Sequence, residues 1–170
     1  MGLKRAFVIG LCLAAVAAVV MLAAVIIRPP KIYISEICPS NSETSKKTAM
    51  QDKNGEPSDW IEIYNPTNKD ISLTGFSLSK NGGGDQPLGG YVIKAHDYII
   101  VYCSSAGFEN ADFPHADFSI GKVSEAEIIL KYDSFQCESI KMPKLNKGVS
   151  YSKNVKGEMY VSEPTPLAAN

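Results

Sequence analysis

Arginine is almost missing from this 170-residue chain. It occurs at Arg5 and Arg28, and every cation after Pro29 is a lysine. From Pro29 onward fourteen lysines face eighteen acids, a net charge of −4. That balance excludes the arginine-forked basic surface a nucleic-acid binder needs, so no nucleic-acid partner is expected. Histidine is also scarce, with His96 and His115 alone. There is no Gly-x-Ser-x-Gly turn, so a serine or cysteine nucleophile would have no elbow and only two candidate bases. No Cys-x-x-Cys or Cys/His spacing suits zinc. Gly82-Gly83-Gly84 lacks the following Lys-Ser/Thr and helix of a phosphate loop, and reads as a turn. After Ile27 no long stretch repeats apolar residues at a 3.6-residue period, which leaves nothing to build an α-helical core.

What is present begins with a hydrophobic run. Ala6 to Ile27 are uncharged, with Lys4 and Arg5 before them and Arg28 and Lys31 after. A helix of that length reaches roughly 33 Å, enough for a hydrocarbon core of about 30 Å. A cleaved signal peptide shares the basic start, but its apolar core is usually shorter, and this run ends in Val25-Ile26-Ile27 rather than a small-x-small site. The expectation is a transmembrane anchor over residues 1–28, N-terminus cytoplasmic, with secretion as the alternative if the segment is removed. Residues 29–31 then form a short proline linker that stops the helix.

Residues 32–170 read as one all-β domain. Strand-length patterns occur at Ile32–Ile37, Trp60–Tyr64, Ile71–Leu78, Tyr91–Ile93, Tyr98–Cys103, Ala126–Tyr132 and Gln136–Met142, with weaker ones at Val149–Tyr151 and Met159–Val161. In Trp60-Ile61-Glu62-Ile63-Tyr64 the isoleucines share one face and Glu62 points away, the pattern of a strand with one buried face. Asn65-Pro66-Thr67-Asn68 and Asn81-Gly82-Gly83-Gly84-Asp85 supply turns, and Ala95-His96-Asp97 predicts a short hairpin between Tyr91–Ile93 and Tyr98–Cys103. Many short strands argue for a sandwich. Of the cysteines, Cys12 lies in the apolar run. Cys38, Cys103 and Cys137 read as small core residues, with a Cys103–Cys137 disulfide the alternative in an oxidising compartment.

Three blocks carry a resemblance. Ile34-Ser35-Glu36-Ile37 with Pro39-Ser40-Asn41, then Ser58-Asp59-Trp60-Ile61-Glu62-Ile63-Tyr64-Asn65-Pro66, then Ile71 to Ser79 with Gly75-Phe76, resemble the lamin-tail domain family. The ending Thr165-Pro166-Leu167-Ala168-Ala169-Asn170 is similar to the Thr-Pro-Gly-x-Ala-Asn close of bacterial members, with Leu167 where glycine is preferred. The resemblance spans about Lys31 to Asn170. It implies an immunoglobulin-like β-sandwich and an interaction or assembly role, and it brings no catalytic residues. Asp59, Trp60, Glu62, Tyr64, Asn65, Pro66 and Gly75 are the motif residues, read as structural. Gly75 breaks strict alternation and fits a bulge or corner.

The remaining candidates each have an ordinary structural reading as well. Asp52, Asn54, Glu56 and Asp59 gather oxygens that suit calcium, but the EF-hand order is absent and a polar turn explains them equally. His96 and His115 read as separate surface histidines. Asp59 and Glu62, three apart on a strand, point to opposite faces and make a poor acid pair. The long polar connection Cys38–Asp59 reads as disordered or as a recognition loop. Phe108, Phe113 and Phe118 in Ser104–Ser119 are expected to pack against the sandwich. The function expected is that of a non-catalytic, membrane-anchored extracytoplasmic module that binds an envelope protein or a wall polymer. A small secreted hydrolase or carbohydrate-binding accessory protein is the alternative, and edge-strand self-association a third reading. No cofactor is expected.

Overall fold

The computed structural model describes residues 29–39, 41, 50–52, 54–104, 112–121 and 125–170. The expected anchor at 1–28, residues 40, 42–49 and 53 of the Cys38–Asp59 connection, and Phe108 lie outside them. Among the described residues no helix is long and apolar enough to cross a membrane. Lys31–Asn170 forms one compact unit.

That unit is an immunoglobulin-like β-sandwich. Its strands are β1 (Tyr33–Cys38), β2 (Asp59–Tyr64), β3 (Ile71–Ser72), β4 (Phe76–Lys80), β5 (Gln86–Pro87), β6 (Val92–Ile93), β7 (Tyr98–Cys103), β8 (His115–Ala116), β9 (Ala126–Tyr132), β10 (Phe135–Met142), β11 (Ser150–Lys153) and β12 (Met159–Ser162). One sheet has the order β12-β11-β1-β2-β7-β8, a second β10-β9-β4-β5, and β3 pairs with β6 in a third. All pairings are antiparallel except β7 with β8.

Period-2 alternation builds the core between the two large sheets. Ile34, Ile37, Ile61, Ile63, Ile99 and Val101 face inward from the six-stranded sheet and meet Phe76, Leu78, Ile128, Leu130 and Ile140 from the four-stranded one. Ile34 and Ile37 are three residues apart, yet both reach the core. The register shifts between Ile34 and Glu36, so Ser35 is the extra residue of a β-bulge that restores the inward phase. Among the described cysteines, Cys38 and Cys103 are buried and Cys137 is half-buried. Cys103 and Cys137 are both free thiols, so the alternative disulfide is not formed.

Two expectations need correction. Ile71–Leu78 is two strands, because the chain turns at Leu73–Phe76 and passes from the small sheet to the four-stranded one. The corner is at Gly75, as expected, with φ +86° and its carbonyl accepting the Asp133 N–H at 2.7 Å. The Ala95-His96-Asp97 turn does not make a hairpin. β6 pairs with β3 through Ile71↔Ile93, whereas β7 pairs with β2 through Tyr64↔Tyr98, so the turn carries the chain between sheets.

A Cβ on Gly75 would stand 3.1 Å from both Asp133 Oδ1 and Tyr132 Cε2. Gly75→Ala is therefore expected to lower unfolding free energy by about 2 kcal/mol, from positive-φ strain and crowding together. Chemical denaturation of the variant checks this, and an unchanged midpoint would contradict the corner's role.

Candidate functional site

The outward face of the six-stranded sheet is layered along its strands. Cross-strand partners put Tyr33, Tyr64 and Tyr98 in one row, Glu36, Glu62 and Ile100 in the next, and Cys38, Trp60 and Tyr102 in the last. Sequence alternation predicted this face to be open. Instead Glu36, Glu62, Trp60 and Ile100 are fully buried, so β2 is covered on both sides.

The middle row is covered by the end of the chain. Glu62 Oε2 accepts the Leu167 N–H at 2.6 Å, and Oε1 accepts the Ser35 hydroxyl at 2.6 Å. Glu36 accepts the Thr165 N–H at 3.1 Å, the Thr165 hydroxyl at 3.1 Å and the Ser150 hydroxyl. Asn170 donates to the Ser35 carbonyl at 3.2 Å. Desolvation pushes both carboxyls up, Glu62 to about 7, with the neighbouring Glu36 charge adding to the rise. The hydroxyl and amide donors oppose that rise. Leu167 holds φ +59°, a left-handed backbone that favours glycine, and this is where the sequence departs from the Thr-Pro-Gly-x-Ala-Asn ending.

The other motif residues are also taken up by the fold. Trp60 packs with Cys38, Ile100 and Tyr102, with Met50 and Phe113 against them. Its indole N–H finds no partner among the described residues. Asn65 is buried; its amide donates to the carbonyls of Lys69, Ile93 and Lys94, and its oxygen accepts from the Thr67 N–H and hydroxyl. Pro66 follows where the strand ends, since it cannot donate to a ladder. Tyr64 packs between Tyr33 and Tyr98, with ring centroids 5.5 and 4.5 Å away.

The four calcium candidates do not converge. Asp52 Oδ1 accepts the N–H groups of Asn54 and Glu56, and Oδ2 accepts the Ser58 hydroxyl, which makes Asp52 the organiser of its own turn. Asp59 instead holds Ser119, Ile120 and Gly121 through one oxygen. No group of three or more metal-ligating side chains occurs among the described residues. His96 pairs with Asn68 at 2.6 Å in an exposed turn. His115 is less isolated than expected, since its Nε2 lies 2.9 Å from the Ser104 hydroxyl. Burial lowers its pKa, while Asp52 and Asp117 act in the opposite sense. The Ser104 N–H also bonds the Ala116 carbonyl, so the pair continues the β7–β8 ladder. Ser77/Lys80 and Ser150/Lys153 have a serine–lysine spacing of three, but on strands these positions face opposite ways. Phe113 and Phe118 pack against the core as expected.

Sequence reasoning missed two surfaces. The first is the carboxylate row, whose cover comes from a segment over a hundred residues away. The second is the tyrosine row, readable only once register is known. It adjoins two shallow depressions of about 370 and 210 Å³ that share Tyr33, Lys153, Asn154 and Val155. Lys153 lies 4.7 Å over the Tyr33 ring and pairs with Glu138.

A family model described as Lamin Tail Domain matches residues 28–138. No curated protein matches the chain.

Two predictions come from the covered carboxylates. Raised carboxyl pKa values mean the folded state holds protons the unfolded chain releases, so stability falls as pH rises from 4.5 to about 7 and then levels. For Glu62 the full shift corresponds to roughly 3 kcal/mol. His115 acts oppositely near 6.5, so the comparison must be made against a variant. Glu62→Gln is expected to flatten the profile and to melt higher than the parent at pH 8 but not at pH 5; parallel profiles would refute the assignment. Leu167→Gly is expected to stabilise by about 1 kcal/mol, because glycine relieves the left-handed strain at the cap. Equilibrium unfolding measures it, and a loss of stability would count against the cap geometry.

Proposed function

Because the chain belongs to the lamin tail domain family, a family of non-catalytic structural and interaction modules, we propose that it serves as a membrane-anchored, extracytoplasmic scaffold that displays a recognition surface to an envelope partner, of the kind found on bacterial surfaces. The anchor is the run Ala6–Ile27, with the N-terminus cytoplasmic. The partner is an envelope protein or a wall polymer.

One observation carries this reading. The polar motif residues are spent inside the fold, and of the two connections singled out in the sequence, 38–59 ends beside the start of 104–119. Cys38 is paired with Trp60, and Asp59 with Cys103, so both connections leave the same end of adjacent strands. A rigid β scaffold that gathers its long connections at one end is a common way to position a binding surface.

The test is capture from native envelope with the detergent-solubilised full chain, beside a variant whose 42–49 stretch is replaced by a short Gly-Ser link. The expected result is a specific partner held by the intact chain and lost by the variant. Absence of any partner, together with turnover of a glycan or ester panel, would favour the secreted hydrolase or carbohydrate-binding alternative.

A further inference from the structure

Four outer strands bound the two large sheets, β12 and β8 in one and β10 and β5 in the other. An outer strand leaves one row of backbone N–H and C=O groups without a ladder, which invites another strand. Folds blunt such edges with shortness, proline, bulges or charge. Three of the four are blunted here. β5 is two residues long and contains Pro87, and β8 is also two residues long. β10 is bulged between Gln136 and Glu138. Glu138 turns between the sheets to accept the Ile34 N–H at 2.8 Å, and Lys141 is exposed on the same strand.

β12 has none of these devices. Met159-Tyr160-Val161-Ser162 holds no charge and no proline, and its register with β11 runs unbroken from Ser150↔Ser162 to Lys153↔Met159. No strand among the described residues lies on its other side. Tyr160 is 38% exposed and Val161 54%. Alternation puts Met159 and Val161 on the face shared with Tyr151, and Tyr160 and Ser162 on the face shared with Ser152.

The strand's own sequence selects its partner. Set antiparallel to a second copy, with a two-fold axis at Tyr160, Met159 meets Val161 of the other copy on both sides of the axis. Tyr160 then meets Tyr160, and Glu158 meets Ser162. Apolar groups face apolar groups, and no like charges are opposed. An axis between Tyr160 and Val161 would instead set Glu158 against Glu163 twice, which is destabilising. The strand is therefore self-complementary in one register.

We propose that β12 is a self-association edge: two copies of the chain pair antiparallel through Met159–Ser162, centred on Tyr160, and join their six-stranded sheets into one. The contact is a single short ladder, so the dimer is weak and concentration-dependent. The two long connections of the preceding section take no part in it.

The test uses the full chain in detergent, with Cys12 and Cys137 replaced by serine so that the remaining native thiols are the buried Cys38 and Cys103. Tyr160→Cys puts a thiol on the axis, where facing Cβ atoms stand about 5 Å apart. Val155→Cys puts one in the β11–β12 turn, where the native side chain is 97% exposed. In this register it stands at least roughly 20 Å from its counterpart. Labelling by a monofunctional maleimide confirms that both thiols react, and a thermal melt of each variant confirms folding. A short bis-maleimide is expected to link about fivefold more dimer through position 160 than through 155, rising with chain concentration. Val161→Lys, added to the Tyr160→Cys chain, is expected to cut that yield about fivefold by placing a charge on the edge of each copy. Equal linking at the two positions places the association elsewhere in the chain and overturns the pairing. Linking that Val161→Lys does not reduce, or no linking at the highest soluble concentration, overturns it as well. Linking of position 160 to a different protein in native envelope, with no homodimer formed, assigns the edge to a foreign strand and likewise overturns the proposal.

Discussion

Two buried carboxyl groups placed opposite each other on neighbouring strands govern how this sandwich is closed. Glu36 and Glu62 are cross-strand partners and both are fully buried. Like charges in that position destabilise a sheet, and burial makes each charge costlier still. The fold answers with donors. Ser35 and Ser150 reach the pair from β1 and β11, and Thr165 and Leu167 supply backbone N–H groups from the last turn of the chain. A buried acceptor left unmatched costs about 1–3 kcal/mol, and more when charged. The terminal segment is therefore fixed in place by acceptors that it helps to satisfy. Two otherwise awkward features follow: the bulge at Ser35, which turns one hydroxyl toward Glu62, and Leu167 in a conformation that suits glycine.

Much of this architecture was legible in the sequence, and the failures have a common cause. Alternation in Trp60-Ile61-Glu62-Ile63-Tyr64 identified the inner face correctly, because that face depends on local phase. It could not say that the outer face is buried, since its cover comes from residues 165–170. Gly75 announced the corner because only a backbone requirement explains a glycine between two apolar runs, whereas the split of Ile71–Leu78 into two sheets depended on distant partners. The supposed hairpin at Ala95-His96-Asp97 failed for the same reason: turn chemistry shows that the chain reverses and not which strand it then joins. β5 and β8, two residues each, are too short to carry a pattern. Asn65 stood out as a strand end, but its links to Ile93 and Lys94 were invisible until the turn was in place. The departure at Leu167 was legible as a departure, and its meaning emerged only from its φ and its bond to Glu62.

The three rows of the outer face also divide labour along the strands. The Trp60 row is apolar and roofed by Met50 and Phe113; the Glu36–Glu62 row is polar and roofed by the terminus; the tyrosine row remains half-open. Each row is covered according to what it presents. Phenol rings packed edge-to-face at 5.5 Å and tilted at 4.5 Å cover one another's faces in part, and their hydroxyls tolerate water, so they need no roof. A buried indole and two buried carboxyls have no such option.

The place of β1 within its sheet has a mechanical consequence. The chain enters the domain at β1, which lies inside the six-stranded sheet with β11 on one side and β2 on the other. Tension on Pro29-Pro30 therefore runs along a strand laddered on both edges, and it loads those hydrogen bonds in shear, together rather than one at a time. The same strand carries Ser35 and Glu36, which the terminal segment grips through Asn170 and Thr165. Withdrawing β1 would break two ladders and expose a carboxylate pair in one step. An edge strand such as β12 would peel away bond by bond. A load applied at β1 is therefore met by both ladders and by the end of the chain at once.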